Sequence, residues 1–117
     1  MTGYDGVTYQ EEIVLQPLED SPLPLWEIAE DFVRAAVGEP PAPQAVAEIL
    51  APALTSLATH GLIEVRRFDV WPAPWEAGVP VDPDRLLHES QHAEAWSRGR
   101  THDLLAAHIT EVGIRWL

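Results

Sequence analysis

The sequence contains no cysteine, no lysine and no asparagine. The lack of cysteine excludes disulfides, thiolate zinc sites and cysteine nucleophiles. Because lysine is absent, the seven basic residues are all arginines; they face nineteen acids, and the net charge is −12. No apolar run approaches the ~20 residues that cross a bilayer, and the polar start MTGYDGVTYQEE is unlike a signal peptide. We therefore expect a cytoplasmic protein, and the residue usage is typical of a high-GC bacterial genome.

The negative charge is concentrated in the first half of the chain. Residues 1–65 contain eleven acids and one arginine, whereas residues 66–117 contain eight acids and six arginines. Such asymmetry steers an oppositely charged partner toward one side of a protein. A basic protein partner is therefore expected. The few, scattered arginines argue against binding to a membrane surface through a basic patch.

Hydrophobic spacing predicts the first three elements of the chain. The apolar, β-branched stretch within Thr8–Gln16 predicts a short strand. Apolar residues at helical spacing predict helices over Leu25–Val37 and Gln44–His60. Pro52 lies in the middle of the second helical stretch, where it either kinks one helix or stands in the first turn of another. A strand is predicted directly afterwards, at 62–71.

The second half of the chain contains a proline-rich loop and two further predicted elements. Residues 71–83 hold several prolines and two tryptophans, and a third helix is predicted over Pro83–Arg98. The last fourteen residues predict a strand followed by a turn or helix. With 46% hydrophobic and 22% charged residues, residues 1–117 should form one domain. We expect an α+β fold with three main helices and a short antiparallel sheet.

The order helix, turn, helix, strand, loop and strand resembles a winged-helix domain. The resemblance covers a core of residues 24–68 and 104–117, and it leaves residues 69–103 as a loop and helix inserted between the wing strands. In this family the second helix is the recognition helix of a helix-turn-helix. The matching residues are Leu54, Leu57, Gly61, Leu62, Ile63 and Val65, followed by Ile109, Thr110, Glu111 and Gly113.

The resemblance implies DNA binding, but the predicted recognition helix lacks the side chains for it. Duplex DNA carries about one charge per 1.7 Å, and affinity comes largely from neutralising this charge. Only Arg66 and Arg67, at the wing, are candidates for phosphate contacts in a transcriptional regulator. None of the positions expected to face outward is basic: Ala51, Pro52, Ala53, Thr55, Ser56 and Thr59.

The sequence therefore favours protein recognition over DNA recognition. The acidic outer face of the first predicted helix presents Glu27, Glu30 and Asp31 to a basic partner. Trp71 and Trp75 lie in the proline-stiffened loop, and tryptophan is enriched among residues that dominate binding energy. The leading hypothesis is an acidic inhibitor, immunity-type protein or adaptor without catalytic activity.

A third hypothesis, a small zinc metallohydrolase, comes from the stretch HESQH. On a helix, His88 and His92 would share a face and bind zinc, while Glu89 would polarise the attacking water. Glu111 is a possible third ligand, and the further histidines available are His102 and His108. The polar residues inside the motif and the short chain after it are more typical of a surface helix. No metal or cofactor is therefore expected.

Overall fold

The computed structural model describes residues 7–98 and 104–117, which form five α-helices and four strands. The predicted α+β class is confirmed, but the expectation of three main helices is wrong for these residues. The helices are α1 (Tyr9–Leu15), α2 (Leu25–Ala35), α3 (Pro43–Thr59), α4 (Pro83–Ser90) and α5 (Glu111–Ile114). The strands are β1 (Leu23–Pro24), β2 (Ile63–Phe68), β3 (Val79–Pro80) and β4 (Leu104–Ile109).

The four strands form an antiparallel sheet in the order β1-β4-β2-β3. The long pairing is between β2 and β4, which stay in register from Ile63 opposite Ile109 to Phe68 opposite Leu104. The chain between these two neighbouring strands contains β3 and α4.

The sheet separates two layers of side chains. Because side chains alternate along a strand, Ile63 and Val65 of β2 face the helices, whereas Arg66 and Phe68 lie on the opposite face. The helix-side core draws its large buried residues from every helix between α1 and α4, together with the sheet. Among them are Val14, Leu25, Ile28, Leu50, Leu54, Leu57 and Leu86.

The N-terminal stretch predicted as a strand is the helix α1. The Thr8 side chain accepts a hydrogen bond from the Glu11 amide, and the Glu11 carboxylate accepts one from the Thr8 amide. This reciprocal capping box satisfies two backbone donors that a helix start otherwise leaves unpaired. Val14 and Leu15 then enter the core. The β-branched residues favoured a strand, but the capping pair Thr8 and Glu11, three residues apart, favoured the helix that forms.

The helix predicted over Pro83–Arg98 ends early, at Ser90. His92 has extended backbone angles (φ −105°, ψ 145°), and a 3₁₀ turn follows at Ala93–Trp96. The buried Trp96 indole donates a hydrogen bond of 2.7 Å to the Ser90 carbonyl. In a longer helix, the Ser90 carbonyl would accept a hydrogen bond from the next turn. Here the Trp96 indole donates that hydrogen bond instead, and its ring packs in the core.

Helix α3 runs through Pro52 without interruption and is 17 residues long. Pro52 is exposed, but Ala51 and Ala53 are buried, so the prediction that these alanines face outward is wrong. Thr55 and Ser56 are half-buried. None of the helices in the described ranges combines the length and apolar character needed to cross a membrane.

Candidate protein-interaction surface

Helix α2 places its apolar side in the core and its acidic side at the surface. Leu25 and Ile28 are fully buried, whereas Glu27, Glu30 and Asp31 are half-exposed. The separation follows from the 3.6-residue helical period, which puts the apolar residues on one stripe. The acidic face predicted from sequence is therefore a continuous part of this helix.

Within the part of the chain that the structure describes, two of these three acids form ion pairs with arginines. The guanidinium of Arg98 donates to both carboxylate oxygens of Glu30, each at 2.8 Å. Arg34, one turn along α2, donates to Asp31 at 2.7 Å. The hydrogen bond from Arg98 lowers the pKa of the Glu30 carboxyl below its ordinary value and raises that of Arg98. The negative field of α2 is consequently weaker than its three acids alone suggest.

Two grooves flank α2, and both join apolar residues to charged ones. The larger has a volume of about 500 Å³ and separates α2 from the start of α3 and the 3₁₀ turn at Ala93–Trp96. Glu30 and Arg34 contribute to its lining, and its apolar residues are Ala29, Val33, Pro41, Pro43, Val46 and Trp96. The smaller, about 290 Å³, lies between α1 and α2 and includes the acids Glu12 and Asp31 with Tyr9, Ile13, Pro17 and Phe32.

Trp71 and Trp75 lie across the sheet from α2. Both are half-buried and pack on Phe68, with ring centroids 5.0 Å and 5.5 Å from it. The Arg66 guanidinium sits 4.9 Å from the Trp75 ring centroid and donates to the Trp75 carbonyl at 2.8 Å. His108 stacks edge-on against the same indole at 5.3 Å. The structure therefore does not bring the two tryptophans together with the acids of α2.

The two arginines considered for DNA contacts are engaged inside the molecule. Arg66 is paired with Glu64 at 2.9 Å, in addition to its contacts with Trp75, and its side chain is 21% exposed. Arg67, on the other face of β2, forms an ion pair with Glu89 of α4 and is 34% exposed. Both guanidinium groups therefore connect parts of the fold: Arg66 links β2 to the loop at Trp75, and Arg67 links β2 to α4. A phosphate would have to displace these partners.

Within the described residues, the structure does not arrange the zinc motif as a metal site. Because α4 ends at Ser90, His92 lies beyond the helix, and its ring centroid is 6.3 Å from that of His88. Glu89 lines the same surface groove as the two histidines, but its carboxylate is paired with Arg67. Glu111 begins α5. His102 lies outside the described residues, and among those described no group of three or more histidines and acids is arranged to hold a metal.

We expect purified protein, prepared without a histidine tag, to contain zinc well below one atom per chain. No third histidine or acid among the described residues is arranged with the histidine pair to hold a metal, and a zinc site needs at least three ligands from the protein. Elemental analysis of the wild type and of His88→Ala should give the same low content. One zinc per chain in the wild type, lost in the variant, would restore the metallohydrolase hypothesis.

Comparison with protein-family models, with curated proteins and with solved structures finds no significant match for this chain.

Two residues that sequence reasoning missed complete the α2 surface. Arg98 reaches Glu30 across 68 positions of sequence, and its Cζ lies 4.6 Å from the centroid of the Trp26 ring. Trp26 is half-buried at the start of α2. No local sequence pattern predicts this pairing, because it depends on where the 3₁₀ turn at Ala93–Trp96 positions Arg98 in the fold.

Proposed function

We propose that this chain is a non-catalytic protein-recognition domain, an inhibitor, immunity-type protein or adaptor, that binds a basic partner through α2. The observation that carries this proposal is the position of Glu30 and Asp31, which line the two largely apolar grooves beside α2, with Glu27 half-exposed on the same helix. Apolar contact supplies affinity at a protein interface, whereas complementary charge speeds the encounter and selects the partner. Helix α2 offers both in one place.

The charge around α2 supports a basic partner. Helices α1, α2 and α3 all lie within residues 1–65, which contain eleven acids and only one arginine. The ion pairs of Glu30 and Asp31 reduce this charge locally, but the helical layer as a whole stays acidic. A positively charged protein surface is therefore drawn toward this side of the domain.

We further propose that the domain is a winged helix converted to protein recognition. Helices α2 and α3 are joined by residues 36–42, β2 follows α3 closely, and β4 returns as its antiparallel partner. This order supports the resemblance read from the sequence. The departure from a DNA-binding winged helix is chemical, since the exposed positions of α3 include Gln44, Glu48, Ile49, Pro52 and Thr59 and no arginine.

The alternative, a DNA-binding regulator, predicts specific binding to duplex DNA, whereas our proposal predicts none. Fluorescence anisotropy with a labelled duplex from the region upstream of its gene should show no saturable binding at low salt, because α3 is uncharged or acidic and Arg66 and Arg67 are already paired. Specific, salt-sensitive binding of that duplex would replace our proposal with the regulator.

A charge-reversal experiment tests the proposed surface directly. The partner is captured from the native host with immobilised wild-type protein, identified, purified, and titrated by calorimetry at low and high salt. The double variant Glu27→Lys/Asp31→Lys should bind at least about tenfold more weakly, because it places two positive charges against a basic surface. Wild-type binding should weaken as salt is raised.

The matched control reverses a charge on the other side of the molecule. Glu76 is exposed in the 3₁₀ turn at Trp75–Ala77, which lies across the sheet from α2. Glu76→Lys should leave the affinity within about twofold of the wild type. Equal binding by wild type and double variant, or an affinity independent of salt, would overturn the proposed surface.

A further inference from the structure

The contact between Arg98 and α2 has the chemistry of an arginine-recognition site. Glu30 accepts two parallel hydrogen bonds of 2.8 Å from Arg98, and the guanidinium lies 4.6 Å from the centroid of the Trp26 ring. A planar guanidinium satisfies both contacts at once, whereas a lysine ammonium provides only a point charge. The pair Glu30 and Trp26 therefore distinguishes arginine from lysine.

Arg98 is a replaceable occupant of this site. Its side chain is 67% exposed and that of Glu30 is 38% exposed. Exposed ion pairs contribute little to stability, because water screens them and the long side chains lose freedom in forming them. An arginine delivered by another protein can therefore exchange with Arg98 at small cost to the fold.

The site continues into the larger groove. Glu30 both binds Arg98 and lines the 500 Å³ groove, whose other walls include Val33, Val46 and Trp96. This volume is within the range of small-ligand sites, about 300–1,000 Å³. A side chain next to the incoming arginine would therefore meet an apolar surface.

We propose that Glu30 and Trp26 receive an arginine of the partner, that an apolar side chain beside it enters the groove, and that Arg98 occupies the site in the free protein. The inference rests on the proposed function and specifies its partner: a basic protein that presents an arginine next to apolar residues. Arg98 then acts as an internal competitor, which keeps the acid and the indole covered until a better-matched arginine arrives.

Two short peptides test the site without the natural partner. The probes are acetyl-Leu-Arg-Leu-amide and its lysine counterpart, titrated by ¹H–¹⁵N NMR while the Trp26 indole signal is followed. Removing the competitor in Arg98→Ala should strengthen binding of the arginine peptide about tenfold over the wild type. The affinity for the lysine peptide should rise much less. The double variant Arg98→Ala/Glu30→Gln should bind the arginine peptide no more tightly than the wild type.

The matched control is Arg85→Ala, which removes one exposed arginine of α4 that belongs neither to the groove lining nor to the Glu30 site. It should leave the peptide affinity at the wild-type level. Equal effects of Arg85→Ala and Arg98→Ala, or equal affinity for the two peptides, would overturn the inference. If it fails while Glu27→Lys/Asp31→Lys still weakens partner binding, the proposed function stands and only the arginine site is wrong.

Discussion

Replacing Phe68 with alanine is expected to lower the free energy of unfolding by about 3–5 kcal/mol. Phe68 is only 2% exposed although it points away from the helix-side core. Its burial comes from the loop after β2, which lays Trp71 and Trp75 over the ring at centroid distances of 5.0 Å and 5.5 Å. Phe68→Ala removes the surface on which both indoles pack, so the cost includes a cavity and the loss of two aromatic contacts.

Equilibrium denaturation measures this cost, and near-ultraviolet circular dichroism reports on the indoles directly. The control is Val70→Ala in the same loop, where the valine is 61% exposed and the change should stay within about 0.5 kcal/mol. A Phe68→Ala variant as stable as Val70→Ala, with an unchanged aromatic spectrum, would contradict the packing described for this face of the sheet.

Gly113→Ala is expected to destabilise the protein by about 3 kcal/mol. A Cβ at this position would lie 2.7 Å from the Ile109 side chain and would collide with the Leu62 carbonyl oxygen. That oxygen already accepts a 2.9 Å hydrogen bond from the Thr110 amide, so it is held in place where α5 meets the start of β2. The backbone at Leu62 and the backbone of α5 therefore cannot move apart without breaking this hydrogen bond.

The comparison variant is Gly38→Ala, which separates steric overlap from backbone preference. Gly38 has a φ of 88°, but a Cβ there meets no heavy atom within 4 Å among the described residues. Its cost should come from the left-handed backbone alone, about 1–2 kcal/mol. In thermal and chemical denaturation, Gly113→Ala should have a clearly lower free energy of unfolding than Gly38→Ala. The reverse order would show that α5 packs less closely on β2.

Local patterns predicted the central elements because their physical causes are local. The apolar stripes of α2 and α3 follow the helical period, and both helices end within two residues of their predicted limits. The β2 strand and the final strand and helix were found in the same way. The N-terminal helix was missed although its signature, Thr8 followed by Glu11, is also local.

The remaining features depend on contacts between distant residues. Helix α4 stops where the Trp96 indole reaches the Ser90 carbonyl, and hydrophobic spacing contains no information about that bond. The acids of α2 were placed on the surface by periodicity, but the pairing of Glu30 with Arg98 was not foreseeable. Likewise, the loop that carries Trp71 and Trp75 turns to the far side of the sheet because Phe68 offers a surface there.

The position of β4 in the middle of the sheet has a consequence for how the protein is made. Among the described strands, β1 and β2 both pair with β4 but not with each other, and the other partner of β2 is the two-residue β3. A nascent chain that has emerged as far as α4 therefore lacks the strand that connects β1 to β2 in the sheet. We therefore expect the sheet to form after residues 104–109 have left the ribosome, and to form slowly, because the contacts of β4 with β1 and β2 span long stretches of sequence.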